Sequence, residues 1–202
     1  MTTVAELPAG FADKVLSAQS TFRSVMDAMA RPGSVQRIAV ATGAPAAMMR
    51  GTAAIALTLF DHDTPLWLDP LMSATSDVTK WLKFHTGAPV IADSSICSFA
   101  LIGDAHLLPG LDRFAFGSNE YPDRSTTLIL QVDSLTQGPP LELRGPGIDG
   151  AAVLQAGIQP SDLFERLEIN RTLFPRGIDV VLVADDAIVA IPRTTRLVVK
   201  GG

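Results

Sequence analysis

The sequence is poor in features that would place the protein outside the cytoplasm. It has one cysteine, Cys97, which excludes an intrachain disulfide and is compatible with a reducing compartment. No apolar run approaches the roughly 18 residues needed to span a bilayer. The first ten residues, MTTVAELPAG, lack the basic and apolar regions of a signal peptide. We therefore expect a soluble, cytoplasmic protein that makes no membrane contact.

Lysine is also scarce, with four residues against twelve arginines. The net charge is −5 and no basic run occurs, so binding to nucleic acid is not expected. A pyridoxal phosphate site needs a lysine amine. Lys14, Lys80 and Lys83 fall on predicted helices and Lys200 lies near the end of the chain, so this cofactor is not expected either.

Most motifs of self-contained catalytic sites are missing. There is no nucleophile elbow, no phosphate-binding P-loop and no zinc-binding histidine pattern, so we predict neither a metal nor a cofactor. Gly145–Gly150 matches G-x-G-x-x-G, the motif of dinucleotide-binding sites. Pro146 removes a backbone N–H donor that such a site needs for the pyrophosphate, so we predict a tight loop instead. Asp61–Asp63 is interpreted as a turn, and Cys97 as a buried apolar residue.

Hydrophobic residues make up 47% of the chain and mean hydropathy is +0.28, enough for a large core and some apolar surface for a partner. Helices are predicted over residues 11–29, 44–60, 76–84 and 162–173, the last capped by Ser161. Strands are predicted over residues 66–68, 89–92, 97–102, 126–133, 141–144, 178–183 and 188–191. This alternation predicts an α/β fold: a single domain over residues 1–202 with a mixed β-sheet flanked by helices.

Two of the predicted helices have particular apolar patterns. In the first, apolar residues are spaced three or four apart and predict a helical stripe: Phe11, Val15, Ala18, Phe22, Val25 and Met29. The second, over residues 44–60, is apolar around most of its circumference and is expected to be buried.

Several arginines fall in predicted turns beside proline, glycine or threonine. An arginine held in a rigid turn loses less rotamer entropy when it binds a carboxylate or a phosphate. The alternative for each is a solvated loop or an internal salt bridge, and His85 could be a helix C-terminal cap instead. The candidate anion-binding or interface residues are Arg31, His85, Arg144, Arg176, Arg193 and Thr194.

An ordered set of short segments along nearly the whole chain resembles the PhnH family. The segments are Thr21–Gly33, Leu59–Leu68, Phe84–Pro89, Thr127–Val132, Gly145–Ile148, Phe174–Asp179 and Ile191–Thr195. Each short motif alone is weak, but the order in which they occur is specific.

The resemblance implies a subunit of the bacterial carbon–phosphorus lyase core complex, which assembles with the G, I and J subunits and uses phosphonates as a phosphorus source. An early step of that system couples methylphosphonate to the ribose of ATP and releases adenine, giving ribose 1-methylphosphonate 5-triphosphate. The implied fold resembles the large domain of pyridoxal-phosphate-dependent transferases without the cofactor, and the implied free form is a homodimer.

The resemblance carries no catalytic residue over to this chain. The expected role is that of a non-autonomous subunit of a transferase complex with a phosphonate or nucleotide as its ligand. Two alternatives stay open from the sequence: a stand-alone enzyme acting on a phosphorylated small molecule, and a purely structural adaptor.

Overall fold

A computed structural model describes residues 7–39, 41–157 and 162–199 of the chain. The helices within this part are α1 (Lys14–Ala30), α2 (Arg50–Leu59), α3 (Pro70–Ser73), α4 (Ser76–Thr86) and α5 (Leu163–Arg171). The strands are β1 (Gln36–Arg37), β2 (Leu66–Leu68), β3 (Phe99–Ile102), β4 (Thr127–Gln131), β5 (Leu141–Arg144), β6 (Ala152–Leu154), β7 (Asp179–Ala184), β8 (Ala187–Ile191) and β9 (Arg196–Val199).

The main sheet has six strands in the order β1-β8-β7-β4-β3-β2. Strands β2, β3, β4 and β7 are parallel, while β8 is antiparallel to β7 and β1 is antiparallel to β8. The predicted mixed sheet of an α/β fold is therefore confirmed, and β7 and β8 form a hairpin that turns at Asp185–Asp186. A second, antiparallel sheet in the order β6-β5-β9 was not predicted as a unit.

Helices α1, α2 and α4 cover one face of the main sheet, and α5 and the smaller sheet cover the other. On β4, Ile129 points into a core formed with α1, α2 and α4, whereas Leu128 and Leu130 point into a core formed with α5 and the smaller sheet. This alternation follows from the two-residue period of a strand, and it explains why the central strands are apolar on both faces.

Helix α2 is buried as its composition predicts, and all residues from Gly51 to Ala56 are buried. It begins at Arg50 rather than at residue 44, because the buried side chain of Gln131 fixes its start. The Oε1 atom of Gln131 accepts hydrogen bonds from the Met49 N–H at 2.6 Å and the Thr52 hydroxyl at 2.9 Å. A polar residue at the end of β4 thus sets where the helix starts.

The predicted apolar stripe of α1 is only partly in the core. Val25 and Phe11 are buried, but Val15 and Phe22 are 64% and 51% exposed. The buried residues of α1 are Thr21, Val25 and Ala28, so the helix is rotated to bring small side chains against the sheet and α2. Phe84 is likewise exposed, because α4 buries Val78, Trp81 and Leu82 instead.

One predicted strand is almost absent from the structure, because most of its residues have no pairing partner. The strand predicted over residues 89–92 is reduced to a single bridge between Val90 and Leu66. Gly145–Gly150 contains no helix, so the prediction of a loop is confirmed. The cap predicted at Ser161 lies outside the described residues. In α5, Leu163, Leu167 and Asn170 are buried together.

None of the helices in the described ranges is both long enough and apolar enough to cross a membrane.

Candidate functional site

Arg193 lies in the turn after β8, at the edge of the sheet where the parallel strands begin. Its Nε atom donates to Asp179 Oδ1 at 3.1 Å, and its Nη2 atom donates to Asp179 Oδ2 at 2.5 Å. Nη1 donates to the carbonyls of Pro122 and Pro175, and Nη2 also donates to the Ser125 hydroxyl. The guanidinium is therefore fully used inside the protein, tying the starts of β4 and β7 to this turn.

Thr194 and the glycine loop after β5 lie against each other. Gly145 has φ +143°, and a Cβ atom there would lie 3.1 Å from the Thr194 carbonyl oxygen. Two residues on, Gly147 has φ +82°, and a Cβ atom there would lie 2.1 Å from the Ala30 carbonyl oxygen. The loop thus brings the end of α1, which carries Arg31, close to the turn that carries Thr194.

Two of the candidate arginines form exposed ion pairs. Arg31 bonds to Asp27 one helical turn earlier at 2.7 Å, and Arg144 bonds to Glu142 on its own strand at 2.6 Å. Both guanidinium groups remain more than half exposed, so a further anion could reach them.

Two arginines at this edge have no side-chain partner among the described residues. One is the exposed Arg176, in the turn that precedes β7. The other is Arg196, which lies directly opposite Arg144 in the pairing of β5 with β9. Like charges placed opposite each other on neighbouring strands repel and disfavour the pairing. Glu142 already compensates part of the charge of Arg144, and an anion between Arg144 and Arg196 would reduce the repulsion that is left.

We call Arg31, Arg144, Arg176, Arg193 and Arg196 the arginine rim. Four of the five were predicted as candidates from their turns. Arg196 was missed because β9 was not predicted, and without that strand its position opposite Arg144 could not be seen. The one signal for Arg196 in the sequence is its position three residues after Arg193, an arginine in a predicted turn.

His85 lies away from the rim, at the end of α4. Its Nε2 atom is 3.0 Å from the Pro8 carbonyl oxygen, and its ring packs against Trp81 in a tilted arrangement, with 4.7 Å between the ring centroids. The next residues confirm the expected helix end, since Gly87 adopts a left-handed conformation as the cap. The histidine thus packs the N-terminal segment against α4.

The remaining polar motifs have local structural roles. Asp61 accepts a hydrogen bond from Thr64 that lowers the pKa of its carboxyl, as expected of a turn. Burial raises the pKa of the Cys97 thiol, which opposes thiolate formation. Over residues 7–39, 41–157 and 162–199, no group of three or more histidine, cysteine, aspartate or glutamate side chains could hold a metal ion.

Comparison with known proteins gives matches along almost the full chain. A family model described as bacterial phosphonate metabolism protein (PhnH) matches residues 9–198. The chain is 46% identical over 198 residues to the alpha-D-ribose 1-methylphosphonate 5-triphosphate synthase subunit PhnH of Rhizobium meliloti (strain 1021), covering 98% of each chain. It is 34% identical over 204 residues to the putative C-P lyase subunit protein HtxG of Stutzerimonas stutzeri, covering 99% of this chain and 97% of that protein.

Proposed function

Because this chain belongs to the PhnH family of bacterial phosphonate metabolism proteins, we propose that it is a subunit of the carbon–phosphorus lyase core complex. In that complex it supports the formation of ribose 1-methylphosphonate 5-triphosphate from ATP and methylphosphonate. The observation that carries the proposal is the 46% identity over 98% of both chains to a subunit of that synthase.

The side chains of the structure fit a non-autonomous subunit better than a complete enzyme. Arg193 is fully bonded to structural partners, and Cys97 is buried with a raised pKa. Among the described residues we find no nucleophile paired with an oriented base. A chain of this kind contributes binding groups and apolar surface to a site that other subunits complete.

The finer parts of the proposal concern assembly. The chain acts in the cytoplasm as one domain, forms a homodimer when free and binds the G, I and J subunits in the complex. The exposed apolar side chains of α1, Val15, Leu16, Phe22 and Met26, suit contact with protein rather than with water. The parallel sheet with helices suits a fold like the large domain of pyridoxal-phosphate-dependent transferases, here without the cofactor.

The arginine rim, apart from the fully bonded Arg193, supplies the anion-binding part of the proposal. Arg144 and Arg196 face each other across paired strands, and the exposed Arg176 has no partner in the described part of the chain. A phosphonate bound there would reduce the repulsion of the opposed pair. Arg31 and Thr194 border the same loop, whereas His85, held by Pro8 and Trp81, lies outside this anion-binding part.

The test is co-purification with the G, I and J subunits, followed by an assay of adenine release from ATP and methylphosphonate. We expect a stable complex that releases adenine only when this chain is present. Turnover of a phosphorylated metabolite by the chain alone would overturn the proposal in favour of a stand-alone enzyme.

Substitution at the rim separates ligand binding from assembly. The double variant Arg144→Gln with Arg196→Gln is expected to assemble normally and to lose adenine release. Arg37→Gln is the matched control. Arg37 is also an exposed arginine in an ion pair, with Asp186, but it lies at the other end of the strands from the arginine rim. Loss of assembly in the double variant would make the rim a protein interface and the chain an adaptor.

A further inference from the structure

The connections that follow β2 and β3 run over opposite faces of the main sheet. After β2 the chain passes through α3 into α4, whose Trp81 packs in the core shared with α1 and α2. After β3 the chain passes through residues 105–114, whose Leu108 and Phe114 pack in the other core. In open α/β sheets, the crevice at the carboxyl ends of two strands whose connections diverge in this way is the usual position for a ligand.

A cavity of about 370 Å³ lies at this crevice, within the size range of small-molecule sites. It is lined by Leu71 from the segment after β2, by Gly103, Asp104 and His106 after β3, and by Asp133 after β4. The cavity thus has walls from three neighbouring parallel strands. It lies where the parallel strands end, whereas the arginine rim lies where they begin.

The walls of the crevice are fixed by a carboxylate that is fully buried. Asp69 accepts hydrogen bonds from the N–H groups of Met72 and Gly103 at 2.8 Å each, and from the N–H of Asp104 at 3.1 Å. One side chain therefore ties the segment after β2 to the segment after β3. A crevice held in this way is ordered before a ligand arrives, which reduces the entropy lost on binding.

The side chains around the cavity select against anions. Asp104 uses Oδ1 to accept from the His106 N–H at 2.9 Å, and the carboxylate of Asp133 has no partner in the described ranges. Two carboxylates repel phosphate or phosphonate, and no metal-binding group is found in the described residues. Carboxylates do bind hydroxyl groups well, and an acidic residue after a strand that accepts ribose hydroxyls recurs in doubly wound folds.

We propose that this crevice binds the ribose ring of a ribonucleoside, with its hydroxyls donating to Asp104 and Asp133. Leu71, which is 44% exposed, offers an apolar wall for the ring or the base. The choice of a ribonucleoside among hydroxyl-rich ligands rests on the proposed function. Phosphates attached to the ribose point out of the crevice.

The test measures binding of adenosine, 2′-deoxyadenosine and inorganic triphosphate to the purified full-length chain by calorimetry and ligand-detected NMR. We expect adenosine to bind, 2′-deoxyadenosine to bind about tenfold more weakly because one charge-assisted hydrogen bond is lost, and triphosphate not to compete. Asp104→Asn and Asp133→Asn should each weaken adenosine binding about tenfold, whereas the control Asp123→Asn at the other edge should not.

Asp104→Asn keeps an oxygen that can accept from the His106 N–H, and Asp133→Asn removes no contact within the described residues, so both variants should fold. Absence of adenosine binding at millimolar concentration, equal binding of the deoxynucleoside, or unchanged binding by both variants would overturn the inference. Assembly with the other subunits tests the proposed function separately, because both variants should still assemble.

Discussion

Arg193 and Asp179 form a partly buried ion pair, with side chains only 13% and 15% exposed. Removing one partner leaves the other charge poorly solvated. We therefore predict that Arg193→Ala lowers the free energy of unfolding by about 3 kcal/mol in urea denaturation. Arg37→Ala, which breaks an ion pair with a 72% exposed arginine, should change it by less than about 1 kcal/mol. Equal effects of the two substitutions would contradict a structural role for Arg193.

The ion pair of Asp185 with Arg50 makes the stability of the protein depend on pH, and the direction of the pKa shift fixes the sign of that dependence. The hydrogen bond from Arg50 lowers the pKa of the Asp185 carboxyl below its ordinary value of 3.8. The ion pair therefore contributes to stability above that value, and the contribution is lost as the pH falls through the lowered pKa. We predict that carboxyl-detected NMR shows Asp185 titrating below 3.8, and that Arg50→Ala moves its midpoint upward. An unchanged midpoint in that variant would argue against the pair in solution.

At the scale of elements, the loop after β5 depends on two glycines for different reasons. Gly147 and Gly150 both have positive φ, but a Cβ atom at Gly147 would collide with the Ala30 carbonyl, whereas one at Gly150 would meet nothing within 4 Å. We predict that Gly150→Ala destabilises the fold by about 1 kcal/mol through backbone strain alone. Gly147→Ala should cost at least about 2 kcal/mol more, since backbone atoms must shift. Thermal unfolding of the two variants makes the comparison, and similar melting temperatures would refute it.

The elements differ in how far the sequence alone predicts them. Strands β2 and β5 have the predicted bounds, because each is a short apolar or alternating run between clear turn signals. Strands β6 and β9 were missed because they have only three and four residues, too few to carry a recognisable periodic signal, and β9 also pairs with a strand far away in the chain. The sequence also does not show which face of α1 is buried. The buried residues and the exposed apolar residues of this helix both recur at helical spacing, so spacing cannot distinguish the two faces.

The same limit applies to the sites. Arginines in turns can be recognised from the residues next to them in the sequence. The hydrogen bonds that occupy the Arg193 guanidinium, however, are made with Asp179, Ser125 and Pro122, which only the fold brings together. The buried Asp69 follows a predicted strand, and its role became visible only when the segments after β2 and β3 were placed side by side.

At the scale of the whole molecule, the two cores share one sheet and each contains one of the two tryptophans. Trp81 is fully buried between α4 and the sheet, and Trp67 packs edge-to-face on Phe114 in the other core. Because β3, β4 and β7 supply side chains to both cores, we predict a single cooperative unfolding transition. Trp67→Phe and Trp81→Phe variants, each followed by the fluorescence of the remaining tryptophan and by circular dichroism, should give coincident curves. Separate midpoints for the two signals within one variant would show two independent units.

The opposite ends of the parallel strands carry charges of opposite sign. In the described part of the chain, Arg176 and Arg196 lack a counter-charge at the end where these strands begin, and Asp104 and Asp133 lack one at the end where they finish. These four groups therefore contribute charges of opposite sign to the two ends of the sheet, within a chain of net negative charge. During diffusion Arg176 and Arg196 favour the approach of a negatively charged neighbour from their end, an attraction that weakens as ionic strength rises.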